Sequence, residues 1–244
     1  MKILILGAGK MGSFFTDLLS FQHETAVYDI DPRRLRFVYN TCRFTTLDEI
    51  RDFRPELVIN AATVKYTIEA FKQVIPALPQ DCILSDIASI KTQLPEFYRE
   101  SGFRFVSTHP MFGPTFASLS NLSNENAIII SESDHLGKVF FKDLYQSLGL
   151  NIFEYTFDEH DETMAYSLSI PFVSTFVFAA IMKKQEAPGT TSRSIWPSPR
   201  DCSARTTTCY RRFSSTPAHR ARWRTYAASS RSCCRLSRST MPRA

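Results

Sequence analysis

The sequence predicts an α/β fold in which a doubly wound, mostly parallel sheet precedes the start of an all-helical domain and a disordered basic tail. Three observations lead to this prediction. Short apolar runs alternate with stretches of helical spacing, a glycine-rich turn joins the first run to the first helix, and the composition changes sharply at Ser192. We therefore expect domains at residues 1–157, 158–191 and 192–244.

The predicted strands are short apolar runs, as expected for parallel strands that are buried on both faces. Each run is bounded by a stretch with helical spacing, and such strand–helix repetition indicates a doubly wound sheet. The predicted strands are residues 3–6, 25–28, 57–61, 83–87, 103–107, 127–130 and 151–155.

The predicted helices fill the intervals between these strands. Asp31 is a suitable N-cap, because Pro32 follows it at the first helical position. The predicted helices are residues 11–20, 32–39, 66–78, 91–100 and 136–148, and a long apolar helix over about residues 159–185. A helix as apolar as the last one needs partners, and we expect it to begin a helical dimerisation domain.

The turn after the first strand has the glycine spacing of a dinucleotide-binding Rossmann-type fold. Gly7 permits a tight strand-to-helix turn, Gly9 lets backbone amides approach a pyrophosphate, and Gly12 allows the helix to pack closely on the strand. Lys10 and Met11 lie between them, where the helix N-terminus favours an anion. All five residues are therefore predicted to bind a cofactor.

Asp29 ends the second predicted strand, 22 residues after Gly7. Its carboxylate can accept hydrogen bonds from adenosine ribose hydroxyls and would repel a 2′-phosphate, which favours NAD over NADP. NADP stays an alternative, because Arg33 and Arg34 follow closely, although both suit a solvated helix face equally well. Asn60 and Ala61 are expected to line the adenosine side, and the alternative for them is an ordinary loop.

His109 follows a predicted strand at the sheet edge where open α/β sheets bind ligands. An imidazole with a pKa close to neutral suits general base catalysis. Ser89 follows the preceding strand at the same edge, and its hydroxyl could orient the imidazole or a substrate alcohol. Asp86 is predicted to contact the cofactor, with a helix cap as the alternative. Lys91 follows in the same motif, and for its ammonium group we consider exposure to solvent.

Four motifs together resemble the prephenate dehydrogenase family of tyrosine biosynthesis over residues 1 to about 190. They are Gly-Ala-Gly-Lys-Met-Gly at 7–12, Tyr-Asp-Ile-Asp-Pro at 28–32, Ser-Asp-Ile-Ala-Ser-Ile-Lys at 85–91 and His-Pro-Met-Phe-Gly at 109–113. His160-Asp161 is similar to the family's junction into its helical dimerisation domain. The resemblance implies an NAD- or NADP-dependent oxidative decarboxylation of prephenate, or of arogenate, in a homodimer.

In that reaction, the resemblance implies that His109 removes the proton of the ring hydroxyl. Ser89 would hydrogen-bond that hydroxyl or the imidazole while hydride passes to the nicotinamide. Three positions depart from the family pattern, since Thr115 replaces a glutamate, and Ser169 and Phe172 replace two histidines. The family also supplies an arginine for a substrate carboxylate, for which the tail offers no clear counterpart. We therefore expect little turnover, and aggregation through residues 166–182.

The charge of the chain is divided unevenly along its length. Residues 1–191 carry 17 basic and 23 acidic side chains, a net charge of −6, whereas residues 192–244 carry 12 arginines and only Asp201, a net charge of +11. The tail also holds four of the six cysteines, at positions 202, 209, 233 and 234. Their spacing matches no zinc pattern.

Three interpretations of the tail compete: a disordered arm that binds nucleic acid, a cysteine-based metal or disulfide module, and a segment translated out of frame. We favour the third, because shifting the frame from Ile195 with free choice of synonymous codons can give amphipathic, normally capped helices. Sequencing the locus tests whether the tail is translated out of frame. We accordingly expect no nucleic-acid partner and no metal.

Met1-Lys2 runs directly into the first predicted strand, so we expect no secretory signal and a cytoplasmic protein. The apolar stretch at residues 164–182 is interrupted by serines and a proline, which argues against a membrane span. Two other functions stay open: a related dehydrogenase or reductase of another small acid or an imine, and a noncatalytic nucleotide-binding pseudoenzyme.

Overall fold

A computed structural model of the 244-residue chain describes residues 1–113, 122, 125–171 and 173–174. Strands and helices alternate along this part of the chain. The strands are β1 (Lys2–Leu6), β2 (Glu24–Tyr28), β3 (Cys42–Phe44), β4 (Leu57–Asn60), β5 (Ile83–Asp86), β6 (Arg104–Pro110), β7 (Asn126–Ile130) and β8 (Asn151–Tyr155). The α-helices are α1 (Lys10–Leu19), α2 (Pro32–Leu35), α3 (Leu47–Phe53), α4 (Thr67–Val74), α5 (Leu94–Ser101), α6 (His135–Ser147) and α7 (Phe157–Met164).

The strands form one sheet in the order β3-β2-β1-β4-β5-β6-β7-β8. Neighbouring strands run parallel, except that β6 and β7 are antiparallel. The chain winds outward in one direction from β1 and then resumes on its other side at β4, which creates a switch point between these two strands. The predicted doubly wound, mostly parallel sheet is confirmed.

The central strands are buried because helices cover both faces of the sheet. Ile3, Ile5 and Ile59 have no exposed surface, and they belong to a core that also contains Phe15 of α1 and Phe141 of α6. Burial on both faces explains why these strands appear in the sequence as continuous apolar runs rather than as alternating patterns.

Two neighbouring elements, β3 and α3, were not predicted from the sequence. β3 is an edge strand of three residues, Cys42–Phe44, and only its last residue is partly buried, so it has no apolar run. α3 carries a recognisable signal: the hydroxyl of Thr46 accepts a hydrogen bond from the backbone of Glu49, and the Glu49 carboxylate accepts one from the backbone of Thr46. This capping box could have identified the helix.

Several predicted helix boundaries were wrong. α2 ends at Leu35 rather than near residue 39, and Asn40 then adopts a positive φ of 57°. α5 begins at Leu94 rather than at Lys91, with Pro95 in its first turn. After α7 the backbone passes into a π-helical turn at Ala165–Ser169, so the predicted long helix is not a regular α-helix throughout.

The chain divides into two compact units, Met1–His160 and Asp161–Ala244. The first unit holds the whole sheet and the six helices α1 to α6. The described part of the second unit contains the end of α7 and the π-helical turn. The predictions for residues 175–244, including the basic tail and most of the apolar stretch at 166–182, lie outside the described residues.

Candidate active site

The glycine turn is shaped by three different demands on its backbone. Gly7 has a positive φ of 96°, a conformation that side chains disfavour. A Cβ on Gly12 would lie 1.8 Å from the Gly7 carbonyl oxygen, so only glycine allows the helix to pack this closely on the turn. A Cβ on Gly9 would meet nothing within 4 Å. The space in front of Gly9 is therefore available to a ligand.

Helix α1 begins beside that space, and no side chain caps its N-terminus. Its N-cap is Gly9, and the first helical hydrogen bond runs from the amide of Ser13 to the carbonyl of Gly9. The amides of the first turn precede this bond, and together with the helix dipole they attract an anion. Lys10 is exposed at this turn, whereas Met11 is half-buried against the hydrophobic core.

Asp29 ties the end of β2 to the glycine turn. Its side chain is 6% exposed and accepts hydrogen bonds from the backbone amides of Ala8 and Asp31, both at 2.8 Å. The guanidinium of Arg34 lies 4.0 Å from the carboxylate. Arg33 instead pairs with Asp31, and this hydrogen bond lowers the pKa of the Asp31 carboxyl. The Asp29 carboxylate is thus fixed in orientation beside the turn.

Asn60 and Ala61 lie where β4 ends next to β1. The Asn60 amide donates to the carbonyl of Thr67 at 2.8 Å and accepts from the amide of Ala62 at 3.0 Å, so its side chain organises the loop after β4. The Ala61 carbonyl lies 3.4 Å from the position of a Cβ on Gly7. This loop therefore forms a wall against the glycine turn.

His109 lies near the carboxyl end of β6, with only 7% of its surface exposed. Its Nδ1 is 3.0 Å from Nε2 of His160, a fully buried residue of α7. The two rings are arranged edge to face, with centroids 5.2 Å apart. In the sequence, His160 is recognisable only as part of a junction motif, and its contact with His109 was not predicted.

Ser89 lies three residues after β5, the neighbour of β6, and is partly buried. The two strands are in parallel register, with Asp86 opposite Ser107. β6 continues through Pro110 instead of ending at Ser107 as predicted, so His109 lies within the strand. Ser89 and His109 are thus near adjacent strand ends, at the same edge of the sheet as the glycine turn.

Asp86 and Lys91 form an ion pair with no exposed surface. The Asp86 carboxylate also accepts hydrogen bonds from the amide of Ala88 at 2.9 Å and from the hydroxyl of Tyr98 at 2.7 Å. Burial, together with the nearby carboxylate, raises the pKa of the Tyr98 hydroxyl well above its usual value. The expectation of a solvated Lys91 was wrong. The Asp86 carboxylate is surrounded by protein groups, and its predicted contact with the cofactor stays a prediction.

A cleft of about 470 Å³ lies elsewhere in the first unit. Leu57, Ile83 and Arg104, the first residues of β4, β5 and β6, contribute to its lining, so it opens at the amino ends of the strands. Ligands of doubly wound sheets bind at the carboxyl ends, and we therefore do not place the chemistry in this cleft.

Within the described ranges, no helix combines the length and the apolar character needed to cross a membrane. The same residues bring together no group of three or more histidine, cysteine or acidic side chains that could hold a metal ion. Thr115, Phe172 and the side chain of Ser169, which depart from the family pattern, lie outside what the structure describes.

Comparison with known proteins identifies a matching family model. The model for the nucleotide-binding domain of prephenate dehydrogenase matches residues 20–150, more than half of the chain. A Methanocaldococcus jannaschii protein named "Probable arogenate/prephenate dehydrogenase" is 27% identical over 135 residues, which are 53% of this chain and 30% of the relative. The T-protein of Enterobacter agglomerans is 25% identical over 183 residues, which are 72% of this chain and 43% of the relative. The chain thus spans less than half the length of these curated relatives.

Solved structures share the fold. Prephenate dehydrogenase from Aquifex aeolicus, in complex with hydroxyphenyl propionate and NAD+, superposes with a TM-score of 0.72 at 19% identity, covering 98% of this chain and 92% of that one. Arogenate dehydrogenase from Synechocystis gives a TM-score of 0.72 at 16% identity, with the same coverage. At these identities the likeness establishes the fold alone.

Proposed function

Because the chain belongs to the prephenate dehydrogenase family through its nucleotide-binding domain, we propose that it binds NAD and uses His109 as the base in the oxidative decarboxylation of prephenate to 4-hydroxyphenylpyruvate. One observation carries this proposal. Gly7 follows β1 and His109 lies near the carboxyl end of β6, and both strands belong to one sheet, in which β1, β4, β5 and β6 run parallel. A dinucleotide bound across these ends lies beside the imidazole.

The residues of the glycine turn suit a dinucleotide. A pyrophosphate fits the open space in front of Gly9, where the first-turn amides of α1 and the helix dipole stabilise its charge. The Asp29 carboxylate, held by two backbone amides, accepts hydrogen bonds from the ribose hydroxyls. When bound, NAD accepts the hydride that leaves the substrate carbon.

His109 acts on the substrate hydroxyl. To accept a proton at Nε2, the neutral ring must carry its own hydrogen on Nδ1. Nδ1 then donates to Nε2 of His160, which fixes the ring and stabilises the imidazolium that forms. Oxidation of the alcohol carbon and loss of carbon dioxide follow. The electron pair of the broken carbon–carbon bond makes the ring aromatic, and the phenol oxygen recovers a proton.

Ser89 supports this step from the adjacent strand end. Its hydroxyl can donate to the substrate oxygen or to the imidazole as charge develops. The register of β5 and β6, with Asp86 opposite Ser107, supports placing the two residues at one site. Ser89 is therefore assigned to orientation and His109 to proton transfer.

The cofactor preference is assigned to NAD rather than NADP. The negative charge of Asp29 opposes a 2′-phosphate, and its 6% exposure and two backbone hydrogen bonds prevent it from turning away. Arg33 is engaged by Asp31, whereas the guanidinium of Arg34, 4.0 Å from the Asp29 carboxylate, offsets part of this charge. Calorimetry that finds NADP bound as tightly as NAD would contradict the preference.

Replacing the base tests the function. We expect His109→Asn to keep NAD binding and to lower NADH formation by about 10² to 10⁴ fold, because proton removal from the hydroxyl accompanies hydride departure. Protein in excess over prephenate and NAD, followed by NADH absorbance, gives a single turnover even when the rate is low. Equal NADH formation by both proteins would reject His109 as the base.

Arogenate differs from prephenate by an amine in place of a ketone, and the same experiment with each compound distinguishes the two substrates. We expect low multiple turnover in this chain, because none of the twelve arginines in residues 192–244 corresponds clearly to the arginine that the family uses for a substrate carboxylate. NAD binding with no NADH from either compound would favour a noncatalytic nucleotide-binding protein. NADH from another small acid would favour the related dehydrogenase.

A further inference from the structure

The backbone directly before His109 lies where strand β6 is paired with β7 on one side only, because β5 on the other side has ended. β5 ends at Asp86, which is opposite Ser107, so the next residue of β6, Thr108, extends past the end of β5. The Thr108 carbonyl is buried there, and a buried carbonyl without a hydrogen bond is costly. The ammonium of Lys91 donates to it at 2.6 Å. Lys91 thus takes the place of a strand amide.

The charge of Lys91 is balanced by Asp86, the last residue of β5. Both side chains have no exposed surface, and the carboxylate receives further hydrogen bonds from Tyr98 and from the amide of Ala88. Removing two charges from water costs about as much as their attraction returns, so a buried pair is weak support for stability. The way in which the ion pair holds the Thr108 carbonyl in place is the better explanation for the presence of the pair.

Thr108 has a second set of contacts through its side chain. The hydroxyl lies 2.8 Å from the hydroxyl of Tyr145 in α6, and it donates to the backbone carbonyl of Asp86 at 3.4 Å. Lys91 and Tyr145 therefore hold the same residue, one through its main chain and one through its side chain. This residue is the covalent neighbour of His109.

We propose that Lys91 is a positioning residue for His109: its ammonium, oriented by Asp86, fixes the Thr108 carbonyl and with it the direction of the imidazole. The inference rests on the proposed function, since it assigns Lys91 to the geometry of the same base. Lys91 acts through the main chain rather than on substrate or cofactor. A displacement of about 1 Å at a reacting group can lower a rate by about 10² fold, so a small change at Thr108 has a measurable effect.

The test uses a neutral version of the pair. In Asp86→Asn/Lys91→Met both charges are removed together, which avoids the unpaired buried carboxylate of Lys91→Met alone. We expect the double variant to fold and, at saturating NAD, to form NADH in a single turnover at least about tenfold more slowly. The NAD affinity is measured separately, because Asp86 is itself a predicted cofactor contact. The ¹⁵N signals of the His109 ring should also differ from those of the unchanged protein.

Tyr98→Phe is the matched control. It removes one hydrogen bond to the same carboxylate but leaves Lys91 and Thr108 in contact, so the His109 signals and the single-turnover rate should stay within about twofold. Unchanged His109 signals and rate in the double variant would overturn the proposal. So would a control that changes them as much as the double variant does.

A measurement on the unchanged protein covers the case in which the double variant does not fold. In protein labelled with ¹⁵N-lysine, a buried and hydrogen-bonded ammonium exchanges its protons slowly. Lys91 is fully buried, so its signal can be recognised by this slow exchange without a Lys91→Met comparison. We expect a protected ammonium signal coupled to the carbonyl carbon of Thr108. Its absence would overturn the proposal. Because both nuclear signals are independent of turnover, failure of the dehydrogenase function alone would leave them unchanged.

Discussion

His109 and His160 are joined nitrogen to nitrogen across 3.0 Å, in a site where both rings are buried. Which ring donates across this contact depends on the tautomers of the two histidines, and the proposed function requires His109 to be the donor. A neutral imidazole can offer one nitrogen as donor and the other as acceptor, so the hydrogen on Nδ1 of His109 leaves its Nε2 ready to accept a proton. In the proposed function, His160 would support the base without reacting itself.

Replacing His160 should lower the rate of the reaction without weakening the binding of NAD. We expect His160→Phe to fill most of the space but to leave Nδ1 of His109 without its acceptor, so that the single-turnover rate falls by about tenfold or more while NAD affinity is retained. The ¹⁵N shifts of the His109 ring, which report the tautomer, should change in parallel.

The exposed His135 at the start of α6 provides the control, and His135→Gln should change neither the rate nor the His109 shifts. If His160→Phe leaves the tautomer and the rate as they are in the unchanged protein, His160 is only a packing residue.

At this scale the sequence identifies residues that follow buried strands, but not the contacts that they make. His109 and Ser89 could be selected because each lies just after an apolar run. His160 is 51 residues away on a helix, and no local pattern pairs it with His109. Lys91 was considered solvated because a lysine beyond a strand end usually is, and only the tertiary structure reveals its burial.

The turn between β1 and α1 combines a glycine that packing requires with a glycine that is predicted to contact the cofactor. Gly12 is required for packing, since its Cβ would lie 1.8 Å from a backbone oxygen. Gly9 is surrounded by open space and has φ and ψ values of −77° and −177°, which alanine also adopts. The two positions therefore respond differently to the same substitution.

We expect Gly12→Ala to destabilise the first unit by about 1–3 kcal/mol, because the turn must move to accommodate the methyl group. Gly9→Ala should change the free energy of unfolding by no more than about 0.5 kcal/mol. It should nevertheless weaken NAD binding by about tenfold or more, since the methyl group occupies the space of the pyrophosphate. Denaturant titrations and calorimetry measure the two quantities.

The comparison is informative because each variant serves as the control for the other. Gly9→Ala with unchanged NAD affinity would show that the dinucleotide does not cross this turn, and a fully stable Gly12→Ala would contradict the close packing of α1.

Elements with a strong local pattern could be predicted, and those that depend on tertiary contacts could not. The buried strands β1, β4 and β5 were identified from apolar runs with errors of one residue at their ends. β3 was missed because an exposed edge strand of three residues has no hydrophobic signal. α2 ends at Leu35 and its cap residue Arg36 keeps a right-handed conformation, so no glycine or proline marks this boundary in the sequence.

The whole sheet brings together ends of strands that are far apart in the chain. Gly7 and His109 are separated by about a hundred residues, but β1 and β6 are parallel members of one sheet, with β4 and β5 between them. The alternation of strands and helices predicts such a sheet. That β7 runs antiparallel to β6 could not be predicted from this alternation and is known only from the structure. The site is thus a consequence of the topology.

Burial in the same sheet predicts a response of stability to alkaline pH. Cys82, fully buried before β5, has its thiol pKa raised by burial from 9.0 to about 12. The unfolded chain therefore loses this proton first, so stability is complete below pH 9 and decreases as the pH rises towards 12. The free energy of unfolding should fall less steeply over this range in Cys82→Ala than in the unchanged protein.

Guanidinium titrations at several pH values check this prediction, with Cys42→Ala as the control, because the thiol of Cys42 is exposed. Equal slopes for Cys82→Ala and the unchanged protein would mean that the Cys82 thiol ionises as easily in the folded as in the unfolded state.

The central claim is that the imidazole of His109 lies beside the nicotinamide of a dinucleotide bound at the glycine turn. Nuclear magnetic resonance of the histidine rings, with the His109 signal assigned through His109→Asn, measures this directly when NAD and ADP-ribose are added in turn. Both ligands should bind, but only NAD should move the His109 signal, since ADP-ribose lacks the nicotinamide. A His109 signal that responds equally to both ligands, or to neither at saturation, would contradict the account.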